Sequence, residues 1–297
     1  MSKLLEALKE RVLLGDGGMG TQLMQAGLEA GACGEAWNVE RPDQVLEIQR
    51  RYARVGSDCI ITNTFGGCSI MLSRHGQENN TVEINKAAVG IAREAFEGRE
   101  GFVLGDVGPF GGLMQPYGEV EEKVVQEAFA EQIKALVDAG ADAIIVETQT
   151  ALEELGLGIE AAKEAGAPCI IGSMAYDVTS DGSNFRTMMG VDPEQAAEFM
   201  MEQEVDVIAL NCGTGMNMER AREGIERYRA ICDLPVMTQP NAGLPVLEDL
   251  KVVYKQPPEE MVAGLPALLD AGANVVGACC GSAPEHIAAF RKALDER

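Results

Sequence analysis

Three cysteines at the ends of predicted strands are the side chains in this sequence best suited to chemistry. Cys212 ends the run VIALNC, and Cys279 with Cys280 ends the run VVGACC. Three thiolates converging from two strands would suit zinc, which prefers sulfur ligands in tetrahedral geometry and leaves a fourth position for water or substrate. The Cys-x-x-Cys spacing of zinc fingers is absent from the sequence, so the pattern favours a catalytic site over a structural one.

Spacing alone leaves other interpretations of these cysteines open. Buried free cysteines are common in protein cores, and the adjacent pair Cys279 and Cys280 could also form a strained vicinal disulfide. Adjacent residues in a strand point to opposite faces, so both thiols reach one metal only if the backbone turns there, which Gly281 would permit. The eight cysteines do not indicate a disulfide framework, because the chain is long and its opening residues do not resemble an export signal.

An open thiolate–zinc site has a distinctive use. It can bind an incoming thiol and keep it deprotonated near neutral pH, and the thiolate is the nucleophilic form. The implied reaction is transfer of an electrophilic group to a substrate thiol. Hydrolysis would instead predict His or carboxylate ligands, and His75 and His286 do not lie at strand ends. We interpret both histidines as surface or helix-cap residues.

Two carboxylates form a second group of candidates. Asp16, in GDGGMGTQL, follows the first predicted strand, and Glu147, in VETQT, ends the fourth. Together they could hold an ammonium group, although a strand-end Asp can also cap a helix or pair with a basic neighbour. Gly17 and Gly18 would let a small ligand approach the backbone, but the fragment lacks the glycine spacing of a dinucleotide-binding fingerprint.

Strands and helices alternate along the chain and must position these residues. Four segments share a helix end, a small turn and a buried strand: RVGSDCIITNT, DAGADAIIVET, EQEVDVIALNC and DAGANVVGACC. Four more β-branched runs lie between them: VLLGDGG, FVLGDVG, CIIGSMA and PVMTQPN. Helical patterns separate the strands at 42–55, 81–96, 119–139, 151–165, 193–204, 218–232 and 259–271. This order predicts an α/β fold, a single (β/α)8 TIM barrel over residues 1–297, with an open doubly wound sheet as the alternative.

In such a barrel, the residues at the carboxyl ends of the strands share one mouth. Nearly all of them are polar: Asp16, Thr62, Asn63, Thr64, Asp106, Glu147, Ser173, Asn211, Cys212, Gln239, Asn241, Cys279 and Cys280. Irregular Gly- and Pro-rich loops follow the third, fifth and seventh strands on the same side. Barrel enzymes build their active sites there, so we expect the active site at this mouth.

Composition excludes several classes of function. The 297 residues include 47 acidic and 24 basic side chains, which gives a formal net charge of −23. So acidic a surface repels nucleic acids and anionic lipids. A hydrophobic fraction of 46% excludes general disorder, and no run approaches the roughly 20 apolar residues of a membrane span. We expect a cytoplasmic protein with reduced thiols.

Seven segments together resemble the homocysteine S-methyltransferase family. They are DGGMGTQL at Asp16, ITNTFGG at Ile61, GDVGPFGG at Gly105, VETQTALEE at Val146, ALNCGTG at Ala209, QPNAGLPV at Gln239 and VVGACCGSAPEHI at Val275. The segments run from the first strand to the last helix, so the resemblance covers essentially the whole chain. The last segment, with the Asn-Cys motif upstream of it, is highly specific.

The resemblance implies roles for individual residues. Zinc would be held by Cys212, Cys279 and Cys280, and the amino group of homocysteine would be received by Asp16 and Glu147. Residues Gly17 and Gly18 would line the pocket, the backbone of Thr64 and Phe65 would meet the substrate carboxylate, and Asn211 would shape the site beside the metal. The homocysteine sulfur would replace a labile fourth zinc ligand and attack a methyl carbon in line, giving methionine without a general base.

The methyl donor is open at this stage. DGGMGT and GDVGPF resemble the homocysteine-binding module of cobalamin-dependent methionine synthase, so we expect a methyl-corrinoid carried by a separate corrinoid protein. S-methylmethionine or betaine as donor, and another thiol as acceptor, are the alternatives within the same chemistry. A non-catalytic barrel that binds homocysteine or zinc, and a hydrolase or lyase that uses Asp16 and Glu147 as an acid–base pair, are the alternatives of other classes.

Overall fold

The computed structural model describes residues 2–248 and 251–297. Its strands are, in chain order, β1 (Leu13–Leu14), β2 (Cys59–Ile61), β3 (Phe102–Val107), β4 (Ala143–Gln149), β5 (Ile170–Met174), β6 (Asp177–Val178), β7 (Phe185–Arg186), β8 (Val207–Asn211), β9 (Val236–Gln239), β10 (Pro245–Glu248), β11 (Lys251–Tyr254) and β12 (Val275–Val276).

The helices surround the strands. They are α1 (Lys3–Glu10), α2 (Met19–Gln25), α3 (Trp37–Glu40), α4 (Pro42–Arg54), α5 (Ser69–Ser73), α6 (Thr81–Ala95), α7 (Glu122–Asp138), α8 (Leu152–Glu164), α9 (Pro193–Glu202), α10 (Met218–Ile231), α11 (Pro258–Val262), α12 (Leu265–Asp270) and α13 (Pro284–Asp295), with a 3₁₀ turn at Glu78–Asn80. Among the described residues, no helix is both long and apolar enough to cross a membrane.

Eight of the strands form one parallel sheet in the order β1, β12, β9, β8, β5, β4, β3, β2. The first and last strands of this order meet through a backbone hydrogen bond from Asp58 N–H to the Leu14 carbonyl, at 2.7 Å. The sheet is therefore a nearly closed barrel. The eight strands of the sequence analysis are confirmed, and the open doubly wound alternative is wrong.

The barrel interior changes from apolar to polar toward the carboxyl ends of the strands. Inward-pointing side chains recur every second residue, and a packed apolar cluster includes Leu13, Cys59, Leu104, Ile145, Ile171, Ala209, Met237 and Val275. Two residues further along several of these strands come Asp106, Glu147, Ser173, Asn211 and Gln239, all buried. Leu4 and Leu8 of α1 join the apolar cluster, so this helix closes the opposite end. The polar layer is thus accessible only from the mouth.

The fourfold sequence repeat has a physical cause at the bottom of the barrel. The residue immediately before each of the strands β2, β4, β8 and β12 is a hydrogen-bond acceptor: Asp58, Asp142, Asp206 and Asn274. Each accepts the backbone N–H of a residue in the adjacent strand, at Leu14, Val103, Ile170 and Val236, over 2.8 to 3.0 Å. The repeat therefore ties neighbouring strands in pairs and serves stability rather than chemistry.

The turn before each of these acceptors needs a left-handed backbone. Gly56, Gly140 and Gly272 have φ of 107°, 91° and 105° where their helices end, as is common after a helix. In the EQEVDV segment no glycine is present, and Glu204 takes φ of 51° instead. The irregular third copy thus keeps the same turn with a less favourable residue.

Three expectations about local structure are wrong. The helix expected over 259–271 is two helices, α11 and α12, because Gly264 and Pro266 interrupt the backbone hydrogen bonding between them. The loops after the fifth and seventh barrel strands are not irregular throughout, since they contain the hairpins β6–β7 and β10–β11. Residues 249 and 250 of the second loop lie outside the described residues. The last barrel strand ends at Val276, so Cys279 and Cys280 follow it in a turn.

Candidate functional site

The three predicted thiols meet at the mouth of the barrel. The Sγ atom of Cys280 lies 3.8 Å from that of Cys212 and 3.9 Å from that of Cys279, and the three sulfur atoms all lie within 4.8 Å of one another. Four ligands placed tetrahedrally at about 2.3 Å from zinc have sulfur atoms about 3.8 Å apart. The cluster therefore fits one tetrahedral zinc ion with a fourth position left for another ligand.

Unusual backbone conformations bring these thiols together. Cys212 has φ of 50°, although it is not a glycine, and Gly213 follows with φ of 84°. A Cβ atom on Gly213 would lie 1.8 Å from the carbonyl oxygen of Tyr176, so only glycine fits there. Gly281 has φ of 79°, and the turn expected from it is present. Both consecutive cysteines can therefore point at one centre.

Asn241 connects the two cysteine segments through hydrogen bonds to each of them. Its Oδ1 accepts the Cys280 N–H at 3.1 Å, and its Nδ2 donates to the Gly213 carbonyl at 3.0 Å. The Cys279 N–H also donates to the Pro240 carbonyl at 2.9 Å. The segment after β9 thus holds the cysteine segments in place through hydrogen bonds to Gly213, Cys279 and Cys280.

The thiols share charge before any ligand binds. Hydrogen bonds from Cys212 and Cys279 lower the pKa of Cys280 to about 3. The same interactions raise the pKa of Cys279 well above its usual range. Cys280 is therefore the thiol of the cluster that ionises most readily, and a metal cation would displace the remaining protons.

Three buried carboxyl groups lie in the same polar layer. Burial raises the pKa of Asp16 to about 7, although its Oδ2 accepts the Ile61 N–H at 2.9 Å. Burial, followed by the charges of Cys212 and Asp16, raises the pKa of Glu147 to about 8. Burial and the neighbouring Glu147 raise the pKa of Asp106, whose Oδ1 has no hydrogen-bond partner in the described part of the chain. Across residues 2–248 and 251–297, no ion pair reaches any of the three. A cationic ligand would meet this need.

A bulge in β4 aims Glu147. The pairing of β4 with β5 shifts register here, and Thr148 has φ of 57°. Asn211 holds the bulge, because its Oδ1 accepts the Thr148 N–H at 3.2 Å and the Ser173 hydroxyl at 2.8 Å, while its Nδ2 donates to the Thr148 hydroxyl at 2.7 Å. Cys212 follows Asn211 directly, so one side chain links the carboxyl groups to the thiols.

The two predicted glycines pack against the thiol loop. A Cβ atom on Gly17 would lie 2.7 Å from the Ser282 hydroxyl, and one on Gly18 would lie 2.8 Å from the Cys279 carbonyl oxygen. The Gly18 N–H donates to the Ser282 hydroxyl at 2.9 Å. Glycine is required at both positions because neighbouring atoms lie too close for a side chain, not because the backbone has an unusual φ. The turn after Asp16 therefore packs against the Cys279 segment and supports it.

Thr64 and Phe65 form the turn after β2. The Thr64 hydroxyl donates to the Asp106 carbonyl at 2.7 Å, and the Thr64 N–H is already bonded to the Thr62 carbonyl. In the described part of the chain, the Phe65 N–H has no acceptor. The next amide, of Gly66, donates to Glu35 at 2.8 Å. The Phe65 amide is therefore available to a ligand.

Sequence reasoning did not identify three side chains at the mouth. Glu35 comes from the loop before α3, Glu154 from α8 accepts the Phe110 N–H at 2.7 Å, and Tyr254 reaches the thiols from the β10–β11 hairpin. Glu35 and Tyr254 belong to segments that link barrel strands and carry no periodic signal, and Glu154 lies in the first turn of α8, where acidic residues are common, so nothing in the pattern marked them. His75 is exposed, and His286 accepts the Ala283 N–H at the start of α13, as expected of surface and cap residues.

Fold and site together define an α/β barrel with a three-thiol centre and a buried carboxyl pocket at its carboxyl-terminal mouth. The profile of the family described as homocysteine S-methyltransferase matches residues 13–294. The chain belongs to the homocysteine S-methyltransferase family, and the expectation of a methyltransferase enzyme is confirmed at that level.

The chain is also similar to individual proteins of known name. Methionine synthases from Mycobacterium leprae and Mycobacterium tuberculosis are each 32% identical over 96% of this chain. The aligned part covers 24% and 25% of those proteins, so the chain spans about a quarter of the length of these relatives. The homocysteine methyltransferase MmuM from Escherichia coli, in its metallated form, superposes with a TM-score of 0.79 at 23% identity, covering 97% of this chain and 99% of that one. This similarity confirms the barrel fold.

Proposed function

We propose that this chain transfers a methyl group to the thiol of homocysteine, giving methionine, with zinc held by Cys212, Cys279 and Cys280. The observation that carries the proposal is a thiol cluster with the spacing of tetrahedral zinc, beside buried carboxyl groups that no basic side chain pairs with in the described parts of the chain. When bound, zinc would coordinate the acceptor thiol and lower its pKa, so that the nucleophilic thiolate is present near neutral pH.

The carboxyl pocket would bind the amino-acid end of the acceptor. Ionised Asp16 and Glu147 would receive the ammonium group, and the free Phe65 N–H beside Thr64 would donate to the substrate carboxylate. The Gly17–Gly18 turn would line the pocket, and Asn211 would hold the bulge that aims Glu147. Fixing the amino-acid end fixes the position of the sulfur, and orientation of this kind supplies much of the rate of a displacement.

Methyl transfer would then need little from the protein beyond alignment. The acceptor sulfur forms a bond to the methyl carbon with its own electron pair, while the bond to the donor breaks and its pair leaves with the donor. The apolar interior and α1 close the barrel below the site, so the donor must approach from the mouth. We assign no residue as a general base, since the acceptor would already be a thiolate.

The proposed donor is a methyl-corrinoid carried by a separate protein. Relatives named methionine synthase support it, as does the surface around the mouth. Several exposed apolar side chains lie on loops beyond the carboxyl ends of the strands: Phe65, Leu113, Tyr117, Met188, Met189, Leu244 and Val246. Apolar residues gathered on one face are typical of a site that receives another molecule. S-methylmethionine and betaine are the alternative donors.

We further propose that residues 1–297 act as one barrel domain in the cytoplasm. All eight cysteines are free, as a reducing compartment would require. A barrel that binds homocysteine and zinc without catalysis is the alternative of another class. The site itself disfavours a hydrolase using Asp16 and Glu147, because the thiol cluster would then have no role.

The test is to mix the reduced, zinc-loaded protein with homocysteine and methylcobalamin, and to follow the corrinoid spectrum together with methionine formation. Parallel reactions contain S-methylmethionine or betaine in place of methylcobalamin, and Cys212→Ala serves as the control. Demethylation coupled to methionine supports the corrinoid donor. Methionine from another donor alone overturns the corrinoid assignment, and binding of zinc and homocysteine without transfer from any donor favours the non-catalytic alternative.

A further inference from the structure

Asp106 is a buried carboxyl group in β3 whose hydrogen-bonding capacity is not used within the protein. Leu104, two residues earlier in the strand, belongs to the apolar cluster inside the barrel, so Asp106 also points into the barrel. The residue is 3% exposed, and its Oδ1 has no hydrogen-bond partner among the described residues. The other buried side-chain atoms without a partner there belong to Arg, Asn, Gln and Thr. In the described part of the chain, this is therefore the one carboxyl oxygen that burial leaves without a donor.

Three hydrogen bonds fix the backbone of Asp106. Its N–H donates to the Thr62 hydroxyl at 2.9 Å, and its carbonyl accepts the Thr64 hydroxyl at 2.7 Å and the Gln132 side-chain amide at 3.1 Å. All three partners are themselves buried, and β3 is paired on both sides, with β2 and β4. The strand therefore commits this carboxyl group to the barrel interior, where burial without a donor is unfavourable.

The two carboxyl groups proposed to bind the substrate ammonium flank Asp106 around the barrel, because β3 lies between β2 and β4 in the sheet. Asp16 Oδ2 accepts the N–H of Ile61, the last residue of β2, at 2.9 Å. Glu147 lies two residues after Ile145 in β4, and Ile145 pairs with Asp106. Burial and then the charge of Glu147 raise the pKa of Asp106, as expected when these carboxyl groups share one pocket.

An ammonium group has three N–H donors, and Asp16 and Glu147 account for two of them. In a buried pocket the third donor would remain unpaired, which weakens binding. The Oδ1 atom of Asp106 is an acceptor that lacks a donor, so the two requirements match. A carboxyl oxygen accepts a hydrogen bond whether or not the group is ionised, so this match does not depend on the protonation state of Asp106.

We propose that Asp106 accepts the third N–H of the substrate ammonium group and thereby restricts the acceptor to thiols that carry a primary ammonium group. A secondary ammonium has only two N–H donors, so its N-substituent would face one of the three carboxyl groups with carbon. The inference rests on the proposed function for the substrate. It adds to that function a third binding residue and a rule of substrate selection.

Asp106→Ala and Asp106→Asn test this role, because alanine removes the acceptor and asparagine keeps an acceptor oxygen of similar size and position. Glu119→Gln is the control for loss of a negative charge, since Glu119 is an exposed carboxylate on the loop that follows β3. Isothermal titration of the reduced, zinc-loaded proteins measures the affinity for homocysteine and for N-methylhomocysteine. The ratio of these two affinities is the selectivity for a primary ammonium.

We expect Asp106→Ala to bind homocysteine roughly 10- to 100-fold more weakly, the effect of one hydrogen bond to a charged group, and to lose most of its selectivity. The N-methyl group would occupy the space that the carboxyl group leaves. Asp106→Asn should lose less affinity and keep the selectivity, and Glu119→Gln should change neither quantity.

Two results would overturn the inference. One is an unchanged selectivity in Asp106→Ala, which would mean that Asp106 does not face the ammonium group. The other is tighter homocysteine binding by Asp106→Ala, which is the result expected if Asp106 only repels the charge of Glu147. The dichroism spectra of the variants show whether the barrel is intact, and Asp106→Asn tests the selectivity in a side chain of nearly the same shape.

Failure of the proposed function is distinguishable from failure of this inference. The titrations are repeated on the metal-free proteins with methionine and N-methylmethionine, which have the same amino-acid end and no thiol. A loss of selectivity in metal-free Asp106→Ala supports the contact even if zinc binding or methyl transfer is not found. Equal selectivity there in Asp106→Ala and the unaltered protein contradicts the contact even if methyl transfer is found.

Discussion

The mouth has two halves whose side chains are positioned in different ways. The thiol half contains Cys212, Cys279 and Cys280, and the carboxyl half contains Asp16, Asp106 and Glu147. The thiols lie on turns beyond the strands, and left-handed backbone at Cys212 and Gly281 aims them at one centre. The carboxyl groups of Asp106 and Glu147 lie within strands, and strand periodicity points them into the barrel. The thiol half therefore depends on backbone conformation, and the carboxyl half depends on burial.

The two halves also differ in how complete they are without ligand. The thiols already share a proton network and have the spacing of a zinc site. Among the residues that the structure describes, no basic side chain pairs with the carboxyl groups, and burial raises the pKa of Asp16 to about 7 and that of Glu147 to about 8. The thiol half thus has the spacing that a zinc ion requires, while the carboxyl half would be stabilised by a cation such as the proposed ammonium group.

This difference has a consequence for stability. Both carboxyl groups have a higher pKa in the folded chain than the ordinary value of about 4 in an unfolded one, so the folded state binds more protons. Their contribution to stability is fully present below about pH 4 and is lost as pH rises through about 7 to 8. A bound ammonium group should offset this loss of stability, because its positive charge would favour the ionised carboxyl groups. A metal bound by the thiols should offset the loss only indirectly, because it would not bind those groups.

The largest effect should come from removing a thiol. We expect Cys212→Ala to lower zinc affinity by more than about a hundredfold, beyond the roughly 10- to 100-fold cost of losing a group that only supports a ligand. Methyl transfer should be lost with the metal. Zinc content after dialysis against a chelator, and methionine formation, measure the two effects.

Cys232→Ala is the matched control, because Cys232 is a buried free cysteine at the end of α10, away from the cluster. It should keep full zinc occupancy. Full occupancy in Cys212→Ala as well would contradict the ligand assignment, whereas an intact far-ultraviolet dichroism spectrum with zinc lost would agree with it.

A smaller effect is expected in the carboxyl half. Glu147→Gln should retain zinc and raise the KM for homocysteine about 10- to 100-fold, because a charged hydrogen bond to the ammonium group is replaced by a neutral one. In the unaltered protein KM should fall as pH rises from about 6 to about 8, since Glu147 must ionise to bind the ammonium. In the variant this fall should be shallower, with the contribution of Asp16 remaining.

Glu153→Gln serves as the control for charge alone, since Glu153 is an exposed carboxylate on α8. It should leave both KM and its pH dependence unchanged. If Glu147→Gln bound homocysteine as tightly as the unaltered protein, Glu147 would have no place in the substrate pocket, and the comparison of the two halves would lose its meaning.

Local sequence patterns explain what could be predicted from sequence. Buried β-branched runs and the helical patterns between them set the eight strands and six of the seven helical segments, and the strand ends then place Asp16, Glu147 and Cys212 at one mouth. The turn at Gly281 could be expected because two adjacent cysteines cannot otherwise face one centre.

Interactions between distant segments explain what could not. Tyr254 meets Cys280, and Asn241 joins Cys280 to Gly213, only because loops from different strands close over the same mouth. The bulge at Thr148 depends on an Asn211 side chain 63 residues away in the chain. Such contacts follow from tertiary packing and leave no periodic trace in the sequence.

Asn211 gives the smallest of these effects and the sharpest test of how the two halves relate. Its side chain holds the Thr148 bulge that aims Glu147, and its backbone continues into Cys212. Asn211→Ala should therefore weaken homocysteine and zinc binding together, each by roughly tenfold, as expected for loss of hydrogen bonds that orient a ligand. Isothermal titration with homocysteine and competition with a zinc chelator measure the two affinities. Ser173→Ala removes only one of the bonds to Asn211 and should change both less. Loss of one affinity alone in Asn211→Ala would mean that the halves are independent sites that merely share a mouth.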